Sequence, residues 1–186
     1  MTKILTIGAS SSQNSINRTL ANYVAHQVNG AEVNLLDLND YEMPIYSIDR
    51  EKASGMPALA EQFKQRIIES DAIVLSLAEH NGTYAAAFKN IIDWASRIEG
   101  KLWEDKPMFL LATSPGGRGG KTVFEAFQAY WPKKGANVVA AFSLPGFYQN
   151  FSADEGILTD DLKTNFLTQL AQFQEAIIQN SLSVSE

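Results

Sequence analysis

Five short runs of mostly continuous apolar residues recur along the chain, and segments with helical periodicity separate them. The runs span residues 3–8, 32–38, 72–77, 107–113 and 137–143. Strands that are buried on both faces of a parallel sheet have this character. The intervening segments predict helices near residues 15–29, 57–69, 85–98, 120–131 and 160–180.

This alternation predicts an α/β fold with three layers, in which helices cover both faces of a five-stranded parallel sheet. The common strand order for five strands, 2-1-3-4-5, places a ligand crevice at the carboxyl ends of strands 1 and 3. The longest irregular segments, 39–56 and 144–158, are predicted to form the rim of that crevice. We expect residues 1–186 to fold as a single domain.

Composition narrows the class of protein. An apolar fraction of 45% and a charged fraction of 19% are ordinary for a globular chain. Fifteen basic and twenty-one acidic residues give a net charge of −6 without a long basic run, so we expect no nucleic-acid partner. No apolar run is long enough for a membrane span. The chain has no cysteine and only two histidines, which argues against a metal site and agrees with a cytoplasmic location.

The loop after the first strand, GASSSQNSINRTLA at 8–21, is crowded with polar side chains. They are Ser10, Ser11, Ser12, Asn14, Ser15 and Asn17. Hydroxyls, amides and backbone N–H groups at a helix N-terminus suit a terminal phosphate, with Arg18 nearby as the one cation. The simpler alternative is a polar loop in which a serine caps the helix.

The loop after the third strand contains Asn81-Gly82, a signal for a tight turn that brings backbone close to a flat ligand. Glu79 is a candidate base and His80 a candidate acid or stacking platform, but a structural role is the simpler reading of both. On the following helix, Lys89, Asp93 and Arg97 are spaced four apart and are predicted to form ion pairs.

The loop after the fourth strand, TSPGGRGGKT at 113–122, resembles a triphosphate-binding loop only at its end. Such a loop requires glycine where Pro115 stands, and it follows the first strand of a fold rather than the fourth. Lys121 is therefore predicted to begin an ordinary helix. The four glycines leave bare backbone against which a ring can lie.

A phosphate site after strand 1 and glycine-bearing turns after strands 3 and 4 together suit a mononucleotide with a planar head, and FMN has that shape. The dinucleotide-binding fingerprint G-x-G-x-x-G is missing, because the first turn contains only one glycine, Gly8.

The three loops also resemble those of the NADPH-dependent FMN reductase family, flavodoxin-like flavoproteins that include quinone, chromate and azo-dye reductases. Ser10, Ser12, Ser15 and Asn17 stand at the spacing of the first family motif. Matches to the other two motifs are Glu79, Asn81, Gly82, Lys89, Asn90, Ile92, Asp93, Trp94, Ser114, Gly116, Gly117, Gly119 and Gly120. The family's loop arginine is replaced by Ser12, and the loop is one residue longer after Gly8. Ala78, His80, Ala85 and Ala86 also depart from the pattern.

The resemblance implies a flavodoxin-like fold and an FMN-dependent oxidoreductase that takes hydride from NADPH or NADH and passes electrons to a small acceptor. The implied acceptor is a flavin, quinone, metal ion, nitro or azo compound. The predicted FMN-binding residues are Ser10, Ser12, Ser15, Ile16, Asn17, Glu79, His80, Asn81, Gly82, Thr83, Ser114, Pro115, Gly116, Gly117 and Arg118.

No catalytic side chain is predicted, because hydride transfer to a flavin requires no side-chain base. The resemblance also implies a homodimer or homotetramer, with the helix after strand 3 at the interface. The alternative function is a flavodoxin-like electron carrier that does not turn over NAD(P)H.

Overall fold

The computed structural model of the protein describes residues 1–183, and its strands and helices alternate along the chain. The strands are β1 Lys3–Ala9, β2 Glu32–Leu36, β3 Ala72–Leu77, β4 Glu79–His80, β5 Thr83–Tyr84, β6 Pro107–Thr113, β7 Asn137–Leu144, β8 Phe151–Ser152 and β9 Gly156–Ile157. Five of them form one parallel sheet in the order β2-β1-β3-β6-β7. The predicted order 2-1-3-4-5 is confirmed, since β6 and β7 are the fourth and fifth strands of this sheet.

The described residues contain seven α-helices, six of which lie between strands while the last follows the final strand. They are α1 Ile16–His26, α2 Ile48–Ser54, α3 Ala58–Glu69, α4 Ala86–Ala95, α5 Lys121–Tyr130, α6 Phe147–Asn150 and α7 Asp160–Ser183. The two segments predicted to be irregular are partly ordered. Segment 39–56 contains α2 and most of a 3-10 turn at Leu38–Tyr41, while segment 144–158 contains α6 and the β8–β9 hairpin.

Side chains alternate across the sheet, so each strand contributes to two cores. On one face, Ile4, Val74 and Phe109 pack with α1 and with the apolar face of α7, which consists of Phe166, Leu170, Phe173 and Ile177. On the other face, Leu5, Ile7 and Leu75 pack with α3, α4 and α5. The predicted three-layer arrangement is therefore confirmed.

Gly8 allows the first helix to reach the end of the first strand. A Cβ atom at this position would lie 2.3 Å from the Cα atom of Arg18, closer than two non-bonded atoms can approach. Only glycine fits between β1 and α1 here. This close packing brings the amino end of α1 to the carboxyl edge of the sheet, where the candidate site lies.

Candidate functional site

A cleft of about 300 Å³ opens at the carboxyl ends of β1, β3 and β6, and residues from all three predicted loops line it. Its lining consists of Ser10, Ser12, Asn14, Ser15, Ile16, Asn17, Ala78, Glu79, His80, Thr113, Ser114, Pro115 and Tyr148. The remaining predicted residues, Asn81, Gly82, Thr83, Gly116, Gly117 and Arg118, follow directly along the same two turns.

Hydroxyl groups in the first loop are arranged as donors for a ligand. The backbone N–H of Ser12 donates to Ser10 Oγ at 3.2 Å, and the N–H of Arg18 donates to Ser15 Oγ at 3.1 Å. Each oxygen thus accepts a bond from the backbone, and its own proton can be donated elsewhere. Ser15 is the N-cap of α1, so the unpaired N–H groups of the helix's first turn face the same region.

Asn17 is buried, and the protein itself uses its side chain. Its Oδ1 accepts from Ser76 Oγ at 2.8 Å and from the N–H of Thr113 at 3.1 Å. Its Nδ2 donates to the carbonyl of Thr113 at 3.2 Å. The amide side chain therefore joins α1 to β3 and β6, and its hydrogen-bonding groups are used within the protein.

Arg18 is directed away from the cleft. Its Nη1 donates to Asp37 Oδ2 at 2.9 Å. The sequence suggested Arg18 as a cation near the phosphate, but Arg18 does not line the cleft. The N–H of Asn39, with further help from Arg18, holds the pKa of Asp37 below its usual value against the opposing effect of burial. Asn39 Nδ2 in turn donates to the carbonyl of Ser11 at 3.2 Å, which supports the first loop from outside.

The second loop is a hairpin fixed to α5 on one face. Glu79 pairs with Tyr84 across β4 and β5, and Glu79 Oε2 accepts from the N–H of Val123 at 3.0 Å. Trp131 Nε1 donates to Tyr84 Oη at 3.1 Å, and burial raises the pKa of Tyr84. Since side chains alternate along a strand, His80 lies on the opposite face, where it is exposed and lines the cleft.

The hairpin turn has the backbone that the Asn-Gly signal predicts. Asn81 has φ 52° and Gly82 has φ 76°, and positive φ at both central residues is typical of a type I′ turn. The carboxylate of Glu79 is occupied as a helix cap, so the hairpin offers its backbone and His80 to a ligand.

The glycine-rich turn separates into ligand-facing and structural positions. A Cβ atom added at Gly116 or Gly117 would meet no atom within 4 Å, so the backbone there borders open space. A Cβ atom at Gly119 would lie 2.6 Å from Ser143 Oγ, so this glycine is required for packing. The sequence predicted open backbone at all four glycines, and the structure shows it at the first pair, whereas Gly119 and Gly120 pack against neighbouring residues.

The resemblance to a triphosphate loop has no structural counterpart. Lys121 is the first residue of α5, as predicted, and its exposed Nζ lies 3.7 Å from Glu125 Oε1 one turn later. Arg118 Nη2 donates to Thr122 Oγ1 at 2.9 Å, so the threonine is also engaged within the protein.

Four residues of the cleft were absent from the predicted set: Asn14, Ala78, Thr113 and Tyr148. The last of these was detectable in the sequence. Phe147 and Phe151 are four apart, and the structure buries both while Tyr148 between them is exposed. Helical periodicity in this short segment would have directed Tyr148 away from the core.

Side chains of α4 hold segment 43–46 in place. Asn90 Nδ2 donates to the carbonyls of Met43 and Pro44 at 3.1 and 3.2 Å, and Asn90 Oδ1 accepts from the N–H of Tyr46 at 2.9 Å. Trp94 Nε1 also donates to Pro44 at 2.7 Å.

Of the ion pairs predicted along α4, the one between Lys89 and Asp93 is present at 2.7 Å. Arg97 instead pairs with Glu51 of α2 at 3.1 Å, because the ordered segment 42–54 lies against this face of α4.

The comparison with known sequences decides the family. The sequence profile of the NADPH-dependent FMN reductases matches residues 2–149. The chain belongs to the NADPH-dependent FMN reductase family. Membership confirms the predicted oxidoreductase class, with FMN as cofactor and NAD(P)H as electron donor.

Individual relatives agree with this assignment. The chain is 30% identical to an NADPH:quinone oxidoreductase of Arabidopsis thaliana over 82% of its own length and 78% of that protein. It is 32% identical to a 2-hydroxy-1,4-benzoquinone reductase of a Burkholderia species over 63% of each chain. Its fold is similar to that of FerB, a flavoenzyme NAD(P)H:acceptor oxidoreductase of Paracoccus denitrificans, with a TM-score of 0.75, 24% identity, and 97% and 99% of the two chains covered.

Two kinds of feature are absent from residues 1–183. No helix in this range has the length and apolar character needed to cross a bilayer. The same residues contain no group of three or more His, Asp or Glu side chains placed to hold a metal ion.

Proposed function

We propose that this member of the family passes electrons from NAD(P)H, by way of bound FMN, to a small quinone. The observation that carries the proposal is the cleft in which a hydroxyl-rich helix N-terminus adjoins two backbone-rich turns. The quinone assignment is supported by two of the relatives reported above, which are named as quinone reductases.

The residues fit FMN by the chemistry of their donors. The hydroxyls of Ser10, Ser12 and Ser15 and the first N–H groups of α1 would hold the phosphate. The flavin ring would lie against the Asn81-Gly82 turn and the open backbone at Gly116 and Gly117. FMN supplies the hydride acceptance and electron delivery.

The protein's part is to orient the ring and stabilise negative charge on it. Backbone N–H groups of 116–118 are the donors that we assign to the reduced ring, with the guanidinium of Arg118 beside them. Arg118 is anchored through Thr122, which keeps this cation at the turn. His80, on the open face of the hairpin, is positioned to contact the acceptor.

A turnover assay separates the reductase from the carrier alternative. Purified protein loaded with FMN is mixed with NADPH or NADH and a benzoquinone, and loss of absorbance of the nicotinamide is followed. Rapid, quinone-dependent oxidation is expected. Bound FMN without NAD(P)H oxidation would instead indicate an electron carrier. Absence of FMN binding would contradict both functions.

We further propose that the protein is a homo-oligomer with α4 at the interface. An apolar cleft of about 330 Å³ lies between the start of α4 and segment 38–45. Ile45, at the edge of this cleft, and Ile48 nearby are exposed on the segment that Asn90 anchors. A protruding apolar side chain next to an apolar cleft allows two copies to bind each other symmetrically. We assign the enzyme to the cytoplasm, where NAD(P)H is available.

A further inference from the structure

The short helix α6 presents one large aromatic side chain to the cleft from a rigid support. The N–H of Gly146 donates to the carbonyl of Gly116 at 2.9 Å, and the N–H of Phe147 donates to that of Ser114 at 3.0 Å. The start of α6 and the glycine-rich turn therefore form one hydrogen-bonded unit. Tyr148, the next residue, is held at the cleft although its side chain is 67% exposed.

Packing fixes the side of the cleft on which α6 lies. The rings of Phe147 and Phe151 stack with their centroids 4.9 Å apart, and Phe151 packs edge-on against Tyr23 of α1 at 5.2 Å. The helix α6 therefore lies on the α1 side of the sheet. The first turn of α1 is the region that we assign to the phosphate.

The cleft lining shows which half of FMN is close to Tyr148. The tyrosine shares the cleft with Ser12, Asn14, Ser15 and Ile16 of the phosphate loop. The lining includes the first residues of the other two loops, among them His80 and Pro115, but it ends before the turn residues assigned to the flavin ring, 81–83 and 116–118. Tyr148 thus lies at the phosphate and ribityl half of the site.

This half of the site has a deficit of positive charge. No lysine or arginine lines the cleft in residues 1–183, because Ser12 stands where the family has arginine and Arg18 is paired with Asp37. The one carboxylate in the lining, Glu79, is directed to α5. A phosphate dianion must therefore be held by neutral donors, and each added hydroxyl contributes a charge-assisted hydrogen bond.

We propose that Tyr148 is a phosphate-binding residue of the FMN site. Its phenol O–H donates to the phosphoryl group of FMN, and its ring covers the ribityl end of the cleft. The tyrosine thereby compensates for the arginine that the first loop lacks. This inference rests on the proposed FMN-binding function.

The experiment compares two ligands that differ only in the phosphate. FMN and riboflavin are titrated into the flavin-free protein, and dissociation constants are measured from flavin fluorescence for the wild type, Tyr148→Phe and Tyr148→Ala. We expect Tyr148→Phe to weaken FMN binding about tenfold, the effect of a lost hydrogen bond to a charged group, with riboflavin binding unchanged. Tyr148→Ala should weaken both ligands because the covering ring is lost.

The matched control is Tyr130→Phe, which removes a phenol hydroxyl from an exposed tyrosine of α5 that does not line this cleft. It should leave both dissociation constants unchanged. If Tyr148→Phe also binds FMN as the wild type does, or weakens FMN and riboflavin equally, the assignment of its hydroxyl to the phosphate is wrong. If the wild type binds neither flavin, the FMN-binding function itself fails, which is a distinguishable result.

Discussion

Asn17 joins α1, β3 and β6 at the base of the first loop, so its removal should destabilise the whole fold. Substitution by alanine leaves the hydroxyl of Ser76 and the backbone N–H of Thr113 buried without their partner. We expect Asn17→Ala to lower the free energy of unfolding by about 2–3 kcal/mol, the cost of unpaired buried polar groups. Urea unfolding of the flavin-free protein measures this loss directly.

Asn14 supplies the control, since it is an exposed amide in the same loop and lines the same cleft. Asn14→Ala should change the unfolding free energy by less than about 0.5 kcal/mol. Equal stability losses in the two variants would show that Asn17 is not the structural tie described here.

The stabilising effect of Asp37, which binds Arg18 and Asn39 beside the first loop, should depend on pH. Its folded-state pKa is depressed, so its stabilising effect is present above the usual pKa of 3.8 and is lost as pH falls through the folded value. Asp37→Asn keeps an oxygen for the N–H of Asn39 but loses the charge next to Arg18. The variant should be less stable than the wild type by under 1 kcal/mol at pH 7, as expected for a partly exposed pair.

That difference should shrink as the pH is lowered from 7 to 3, because the carboxylate of Asp37 takes up a proton more readily in the unfolded wild-type chain than in the folded protein. Thermal unfolding of both proteins across this range tests the trend. A difference in stability between wild type and variant that stays constant or increases towards pH 3 would contradict the proposed role of the carboxylate.

Individual residues also show where inference from the sequence stops. The polar loop, the Asn-Gly turn and the strand order follow from local patterns and from the topology rules for parallel sheets. The partners of particular side chains do not. Asn17 bonds to Thr113, which is 96 positions away, and Glu79 bonds to Val123, which is 44 away. Local spacing carries no information on such pairs. A polar side chain that binds a ligand therefore cannot be distinguished, from the sequence, from one that binds a distant part of the protein.

At the scale of elements, the hairpin β4–β5 and the helix α5 are joined by a cap that comes from outside the helix. Gly120, at the N-cap, has no side chain to bond the first turn, and Glu79 provides the missing acceptor at Val123. Glu79→Ala should therefore reduce stability by about 1 kcal/mol. Glu79→Gln, which keeps an acceptor oxygen, should lose less.

The same pair of variants tests whether Glu79 acts as a base. As a cap it affects position only, so Glu79→Gln should retain most NAD(P)H-dependent turnover with an unchanged pH profile. A loss of turnover of a hundredfold or more, the scale of general-base catalysis, would assign the carboxylate to proton transfer instead.

Helix α4 and segment 42–54 form a second joined pair, held by Asn90. Asn90→Ala removes three hydrogen bonds to Met43, Pro44 and Tyr46. We expect the unfolding free energy to fall by about 2 kcal/mol and the amides of this segment to exchange faster with deuterium. Lys89→Ala, which removes an exposed pair on the same helix, should cost at most about 0.5 kcal/mol. Similar exchange in the two variants would argue against Asn90 as the anchor.

For the whole molecule, the rigid anchoring by Asn90 has a consequence for assembly. It holds Ile45, which is 74% exposed, beside an apolar cleft that includes Met43, Ala87 and Ile91. Exposed apolar side chains on an ordered surface favour association, because burying them releases water from both copies.

Light scattering after size-exclusion chromatography should therefore find a dimer or tetramer, and Ile45→Asp should reduce its mass, because a buried carboxylate opposes association. Ile68→Asp is the matched control, since Ile68 is 44% exposed on α3 and lies outside the cleft. It should leave the mass unchanged. A monomeric wild type, or an Ile45→Asp variant of unaltered mass, would remove this face from consideration as the interface. Ser11 lines this cleft and its neighbours Ser10 and Ser12 line the predicted FMN cleft, so FMN content should be measured in the same fractions to detect any effect on the first loop.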